Sequence, residues 1–227
     1  MSTDAFSNIT IWGRAYRVAD EPGSRTVRIV EMELARDAYR LSTVELQCGD
    51  VVVDVGGHVG LFAIYAATRW PGVIVHSFEP FEANADRFDR NIAASGLDNI
   101  HLHRYAITGD GKMITLAAHP MNSGAATSFS VSQLHLRKEN IPSKTMDEAF
   151  EECGIHDCAL LKMDCEGAEY EILDSARVLP RVRRLRAEFH SNQTLASRGG
   201  DPNELAGRIR RSYPDLDFHY TTIALAR

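Results

Sequence analysis

The sequence predicts an α/β protein: a doubly wound, mostly parallel sheet, preceded by a strand-and-helix extension and followed by a short strand region. Three observations predict it. From residue 51 onward, short apolar runs alternate with helical-period segments about a dozen residues long, the pattern of right-handed βαβ units covered on both faces. A glycine-rich turn in VVVDVGGHVGLF (51–62) joins the first of those strands to the first helix. The composition, 44% hydrophobic and 25% charged over 227 residues, is that of an ordinary soluble globular chain. That length suits one domain over 1–227, with an extension or lid over 1–46 and a core over 47–227.

Each element has its local reason. NITIWGRAYRVA (8–19) and RTVRIV (25–30) flank the turn signal DEPGS and read as a β-hairpin or two short strands. Residues 31–46 carry Met32, Leu34, Ala35, Ala38, Tyr39 and Leu41 at roughly helical spacing, which predicts a helix leading into the core. Strand 51–55, helix 58–69, strand 73–78, helix 82–95 and strand 100–106 follow. The rhythm breaks over 108–143, where TGDGK and HPMNSGAATS surround the β-like pieces MITLAA and TSFSVS, so this segment is an excursion from the sheet. KTMDEAFEEC (144–153) opens a helix at Thr145, with Glu148 three residues on to complete a capping box. Strand 158–164, helix 167–176, strand 184–190, helix 202–212 and a last strand near 216–225 complete the series.

A net charge of −6 disfavours nucleic acid and anionic membrane surfaces as partners. RVRRLR (181–186) has four arginines without interleaved aromatics and reads as a solvated strand entry. Cys48, Cys153, Cys158 and Cys165 lack CxxC spacing and zinc-finger pairing with histidine, as expected of reduced thiols in a cytoplasmic protein. MSTDAFSNITIWG lacks the basic and apolar segments of a signal peptide, and no apolar run reaches membrane-spanning length.

The glycine turn lets a ligand's polar groups approach backbone N–H groups at a helix start. It reads D-x-G-x-x-x-G and lacks the second and third glycines of the dinucleotide fingerprint, which weakens a nicotinamide-dependent oxidoreductase as the alternative function. Asp54 ends the strand where a dinucleotide's pyrophosphate would sit, and a carboxylate there suits a cationic ligand. Glu79, at the end of the second strand, can accept both hydroxyls of an adenosine ribose. S-adenosylmethionine offers that ribose, no phosphate, and a sulfonium and ammonium to meet Asp54.

With these residues the chain resembles the FkbM family of S-adenosylmethionine-dependent methyltransferases, which have a Rossmann-like fold. The matching segments are GDVVVDVGGHVGLFA, HSFEPFEANADRFDRNI, IPSKTMDEAF, LLKMDCEGAEYEILDSA and LRAEFH, spread over about residues 30–190. KMDCEGAE is the most telling, against a family pattern close to K-[IV]-D-[VI]-E-G-x-E. The resemblance implies a seven-strand sheet with the cofactor across the carboxyl ends of its first strands, and methyl transfer, commonly to oxygen of a small molecule or sugar. Cofactor contacts are then expected from Asp54, Gly56, Gly57, His58, Gly60, Glu79, Pro80, Ala106 and Asp164. Two departures stand out: Gly57 and His58 replace the family's alanine and asparagine, and only fifteen residues follow the last helix for its closing hairpin.

Methyl transfer needs a positioned acceptor and, for a hydroxyl, a proton acceptor. Asp164 and Glu166 follow the fourth strand, while Glu188 and His190 share one face of the fifth by the two-residue period. All four are candidate catalytic residues, His190 being the natural base because imidazole titrates near neutrality. No metal is expected; the lesser reading is Mg²⁺ or Mn²⁺ on Asp164, Glu188 and His190, with Glu166 nearby. Structural uses compete: a Lys162–Glu188 ion pair, Glu166 as helix N-cap, His190 as a packing residue, and Cys165 and Trp12, Tyr16 and Tyr39 in packing. The leading expectation is O-methylation of a small-molecule hydroxyl. Nitrogen or carboxylate acceptors, and a non-catalytic cofactor-binding protein, remain as alternatives.

Overall fold

The computed structural model of the protein describes residues 5–119, 122–127 and 137–224. The chain opens with an antiparallel hairpin of β1 (Ala5–Ile11) and β2 (Arg14–Asp20). α1 (Thr26–Ala35) comes next, so RTVRIV forms the first turns of a helix, not a strand, and a single 3₁₀ turn at Leu41–Thr43 stands where the predicted helix would have continued. The β-branched residues favour extended backbone locally, but Val27 and Leu34 are buried on one stripe and Val30 packs beside them. Tertiary burial overrides the propensity.

The core series then runs β3 (Val51–Val55), α2 (Leu61–Arg69), β4 (Ile74–Phe78), α3 (Glu82–Ser95) and β5 (Ile100–His103). Residues 58–60 belong to the turn and not the helix, because His58 and Gly60 take positive φ. Beyond β5 come β6 (Ala106–Ile107), β7 (Ile114–His119), β8 (Asn122–Thr127), β9 (Arg137–Ile141) and β10 (Ser143–Lys144). The excursion is thus a three-stranded antiparallel sheet in the order β8-β7-β9, returned to the body by the β6–β10 pair. MITLAA lies in β7, and most of TSFSVS falls outside the described residues.

α4 (Met146–Glu152) starts as expected: the Glu148 N–H donates to Thr145 Oγ1 at 3.2 Å and the Thr145 N–H to Glu148 Oε2 at 2.7 Å. β11 (Leu160–Met163), α5 (Glu169–Ser175), β12 (Arg184–Ser191), α6 (Gln193–Ser197), α7 (Pro202–Ser212) and β13 (Asp217–Ala224) complete the chain. The short α6 has no counterpart in the sequence reading.

The main sheet is parallel throughout, in the order β13-β12-β11-β3-β4-β5. It has six strands among the described residues, where the family resemblance implied seven. Strand alternation sorts its residues between two cores. Val53, Val55, Leu161, Met163, Ala187 and Phe189 face a core with α4 and α5. Val52 and Leu160 face the other, which also holds Ile9, Val18, Leu34, Leu41 and Phe62, so the N-terminal extension packs directly on this face. The same alternation puts Asp54, Lys162, Glu188 and His190 on the extension's side, toward or at the carboxyl ends of their strands. The RVRRLR arginines are absorbed by the fold: Arg183 pairs with Asp50 and Asp157, and Arg184 and Arg186 with Asp217. Arg186 is buried, not solvated as its setting had suggested.

Candidate active site

A cleft of about 1300 Å³, counting its open mouth, lies over the carboxyl ends of β3, β4, β11 and β12. It straddles the point between β3 and β11 where the strand order reverses, the usual ligand crevice of an open parallel sheet. Of the residues expected to touch a cofactor, Gly56, Gly57, His58, Glu79, Pro80, Ala106 and Asp164 line it. Asp54 and Gly60 do not: Gly60 caps α2 against the Phe88 ring, and Asp54 is buried beneath the floor.

The glycine turn closes tightly on its neighbours. Gly56 takes φ +86°, and a Cβ there would stand 1.8 Å from the Asp164 carbonyl oxygen; one on Gly57 would stand 2.3 Å from Ser77 Oγ. Asp54, fully buried, accepts from Ser77 Oγ at 2.7 Å and pairs with Lys162 Nζ at 3.1 Å. Two expectations are corrected here. Asp54 is engaged by Lys162 and is not presented to a cationic ligand, and Lys162 pairs with Asp54 instead of Glu188. The register explains both, since Lys162 stands directly opposite Asp54 across β11–β3 and opposite Arg186 across β11–β12. Burial works to lower the Lys162 pKa, but Asp54 and then Asp164 more than reverse it, so the ammonium is retained. It also donates to the Gly56 carbonyl at 3.1 Å, fixing the turn from below.

Glu79 is buried yet lines the cleft. Its Oε2 accepts the His58 N–H at 2.8 Å, and Oε1 accepts the Phe81 N–H at 2.9 Å and Asn84 Nδ2 at 3.3 Å. Burial pushes its pKa up to about 7 against these bonds.

Beyond Asp164 the far wall is a ring of carboxylates around one imidazole. His190 is 2% exposed. Its Nδ1 lies 2.9 Å from Glu169 Oε1, and its Nε2 lies 3.5 Å from Glu188, 3.7 Å from Glu166 and 3.8 Å from Asp164. Burial alone would lower its pKa; the bonds to Glu169 and Glu188 and the surrounding negative charge push it up to about 12. His190 is therefore an imidazolium at neutral pH and cannot accept a proton, contrary to the base role expected from its ordinary pKa.

Glu169, fully buried, accepts the N–H groups of Cys165 and Gly167 at 2.9 and 3.0 Å. It fills the place expected of Glu166 before α5. Glu166 instead stands in the left-handed region at φ +54°, a strained backbone for a non-glycine residue, and lines the cleft. Burial, with Asp164 and Glu169 added and His190 opposing, raises its pKa to about 8.

The extension supplies the opposite wall. Tyr39, 2% exposed, donates from its hydroxyl toward Glu188 Oε2 at 3.3 Å and Asp164 Oδ2 at 3.4 Å. Glu33 lines the same space, its pKa raised to about 8 by burial and then by Glu188 and Asp164. Sequence reasoning missed Glu33 and Glu169 and gave Tyr39 to packing. The second glutamate of KMDCEGAE was a usable signal for Glu169; nothing local distinguishes Glu33 or Tyr39.

A family model described as the methyltransferase FkbM domain matches residues 54–220. The chain belongs to the FkbM methyltransferase family. It is 30% identical over 182 residues to the 31-O-demethyl-FK506 methyltransferase FkbM of Streptomyces tacrolimicus, covering 67% of this chain and 70% of that one. It is 26% identical over 140 residues to Methyltransferase 1 of Beauveria bassiana, covering 54% of this chain and 56% of that relative. This chain thus spans little more than half of that fungal relative's length. Among solved structures, it is similar to the precorrin-6y C5,15-methyltransferase of Geobacter metallireducens GS-15, with TM-score 0.46 and 15% identity over 77% of this chain and 69% of the other. The N-terminal domain of human METTL16 in complex with SAH gives TM-score 0.43 and 14% identity, over 83% and 60%.

The chain is thus an FkbM methyltransferase domain, and its cleft offers groups that a ribose and a cationic methyl donor would meet. Glu79 has four lone-pair sites and three hydrogen bonds among the described residues, which leaves one for a ribose hydroxyl. Asp164, Glu188, Glu33 and Glu166 line the cleft, and the negative charge they can carry suits a sulfonium and an ammonium, with Glu33 and Glu166 holding their protons up to about pH 8. One ligand atom each from Asp164, Glu166 and His190 lies within 4.8 Å of the others, but a protonated His190 has no lone pair to offer an ion.

Proposed function

We propose that this FkbM-family domain transfers a methyl group from S-adenosylmethionine to a hydroxyl oxygen of a small molecule, in the cytoplasm, with Glu166 as the proton acceptor. The observation that carries the reading is Glu166 itself: a strained, cleft-lining carboxyl with a pKa near 8, 3.7 Å from the imidazolium of His190. A base with a pKa near the operating pH is the efficient one for removing a hydroxyl proton.

The bound cofactor supplies an electrophilic methyl carbon on a sulfonium. Glu79 and the glycine turn hold the nucleoside end, and Asp164 and Glu33 face its positive charge. The acceptor lies against Tyr39 and the carboxylate ring, where its O–H proton passes to a Glu166 oxygen as the oxygen attacks. His190 keeps its own proton, pinned by Glu169, and stabilises the carboxylate form of Glu166. The relative in Streptomyces tacrolimicus is named for methylation at an oxygen, which agrees with this assignment. The four cysteines are free thiols, and no described helix is long and apolar enough to cross a membrane.

The test uses methyl-labelled S-adenosylmethionine with matched panels of hydroxyl, amine and carboxyl acceptors, read by mass spectrometry. O-methyl products from the parent, with turnover about 10²- to 10⁴-fold lower in Glu166→Gln, support the reading. Products only at nitrogen or carboxylate, or undiminished turnover in the variant, overturn it. S-adenosylhomocysteine bound normally with no product from any panel would favour the non-catalytic alternative.

A further inference from the structure

On the face of the sheet opposite the extension, the register of β4 and β5 gathers imidazoles that methyl transfer does not use. His76 stands opposite His101 and Phe78 opposite His103, so these four side chains share one face at the sheet's edge. The rings adjoin along it: His76 is tilted against His101 with centroids 5.1 Å apart, and stacks on His103 at 5.3 Å, which stacks on Phe78 at 4.7 Å. The C-terminal end of α4 brings Cys153 to the same spot.

Three ligand atoms converge there. His76 Nδ1 lies 3.0 Å from His103 Nε2, and Cys153 Sγ lies 3.5 Å from that same nitrogen; all three fit within 4.8 Å. A neutral ring nitrogen has one in-plane site, either one N–H or one lone pair. His103 Nε2 therefore cannot make good hydrogen bonds to both neighbours at once, whereas a cation between the three atoms would satisfy them all. With bonds of about 2.0–2.1 Å to nitrogen and about 2.3 Å to sulfur, a tetrahedral zinc ion spaces its ligands by about 3.3 Å (N to N) and about 3.5 Å (N to S). The two spacings at His103 Nε2, 3.0 Å and 3.5 Å, are close to these.

The geometry points to a zinc-class metal site formed by His76, His103 and Cys153, with the fourth position open to water. Two imidazoles and a thiolate select a borderline or soft ion over Mg²⁺ or Ca²⁺. On binding, the thiol S–H bond breaks, the sulfur–metal bond forms and the proton leaves to solvent. The site would clamp β4, β5 and α4 together. It lies directly behind the cleft, since Phe78 lines the cleft and the Glu79 N–H donates to the His103 carbonyl at 3.1 Å. No zinc-finger interval announces these ligands in the sequence; the parallel register and α4 assemble them.

The experiment is titration of the metal-free protein with Co²⁺, a spectroscopic stand-in for zinc, followed by competition with Zn²⁺. A thiolate-to-cobalt charge-transfer band with tetrahedral visible bands, displaced by Zn²⁺, and a Zn²⁺-dependent rise in melting temperature are expected. Cys153→Ser should abolish the band and His76→Gln should weaken Co²⁺ binding by about tenfold or more, while Cys165→Ser, beside the carboxylate ring, should leave it intact. Circular dichroism of the metal-free variants separates lost ligands from lost fold. No sulfur band in the folded parent, or a band that survives in Cys153→Ser or vanishes in Cys165→Ser, overturns the site.

Discussion

Glu166 concentrates the chemistry at the residue scale. Because its folded pKa is near 8, turnover should rise with pH up to about 8 as the carboxylate forms, and Glu166→Gln should remove that limb of the profile. Glu79→Ala takes away the one hydrogen bond left for a ribose hydroxyl, worth about 1.5–3 kcal/mol at a charged acceptor, so S-adenosylhomocysteine affinity should fall by roughly 10- to 150-fold in a calorimetric titration. An unchanged affinity would remove Glu79 from the cofactor site. At this scale the sequence was informative where the two-residue period acts, because it puts Glu188 and His190 on one face whatever their partners. It was silent on protonation: the ordinary pKa of histidine describes a ring in water, and only the folded chain supplies the Glu169 and Glu188 carboxylates that turn His190 into a fixed cation.

Elements rather than single groups decide the glycine turn. At Gly56 an added Cβ meets backbone at 1.8 Å in a left-handed conformation, so Gly56→Ala should prevent stable folding or cost well beyond the about 1–2 kcal/mol of left-handed strain. Gly96 ends α3 at φ +68° with nothing within 4 Å of a Cβ, so Gly96→Ala should cost only about that strain. Denaturant midpoints of the two variants, side by side, check the contrast. Elements with their own punctuation were readable from sequence: α3 and α7 span the expected residues, and Thr145 with Glu148 marked the start of α4. α1 was misread because Thr26, Val27, Ile29 and Val30 state a strand preference that only packing against β1 and α2 reverses.

Across the whole molecule, the raised acids link stability to pH. Glu33, Glu79 and Glu166 have folded pKa values of about 8, 7 and 8, above the ordinary value of 4.5, so the folded state holds their protons more tightly than the unfolded one. Their contribution is fully present below about pH 4.5 and is lost as pH rises through 7 to 8. His190 acts in the same direction, beginning at the ordinary histidine value of 6.5 and extending toward 12. The melting temperature of the ligand-free protein should therefore fall between pH 6 and 9, roughly, and Glu33→Gln should flatten part of that slope. A rising melting temperature over this range would contradict the burial of these acids. The parallel sheet could be foreseen from the alternation of its elements, but the partners of Tyr39 could not, since no local pattern joins it to Asp164 and Glu188, 125 and 149 residues away. That separation has a consequence for synthesis. The tyrosine leaves the ribosome 149 residues before Glu188, so a product arrested before residue 188 lacks a finished reaction chamber.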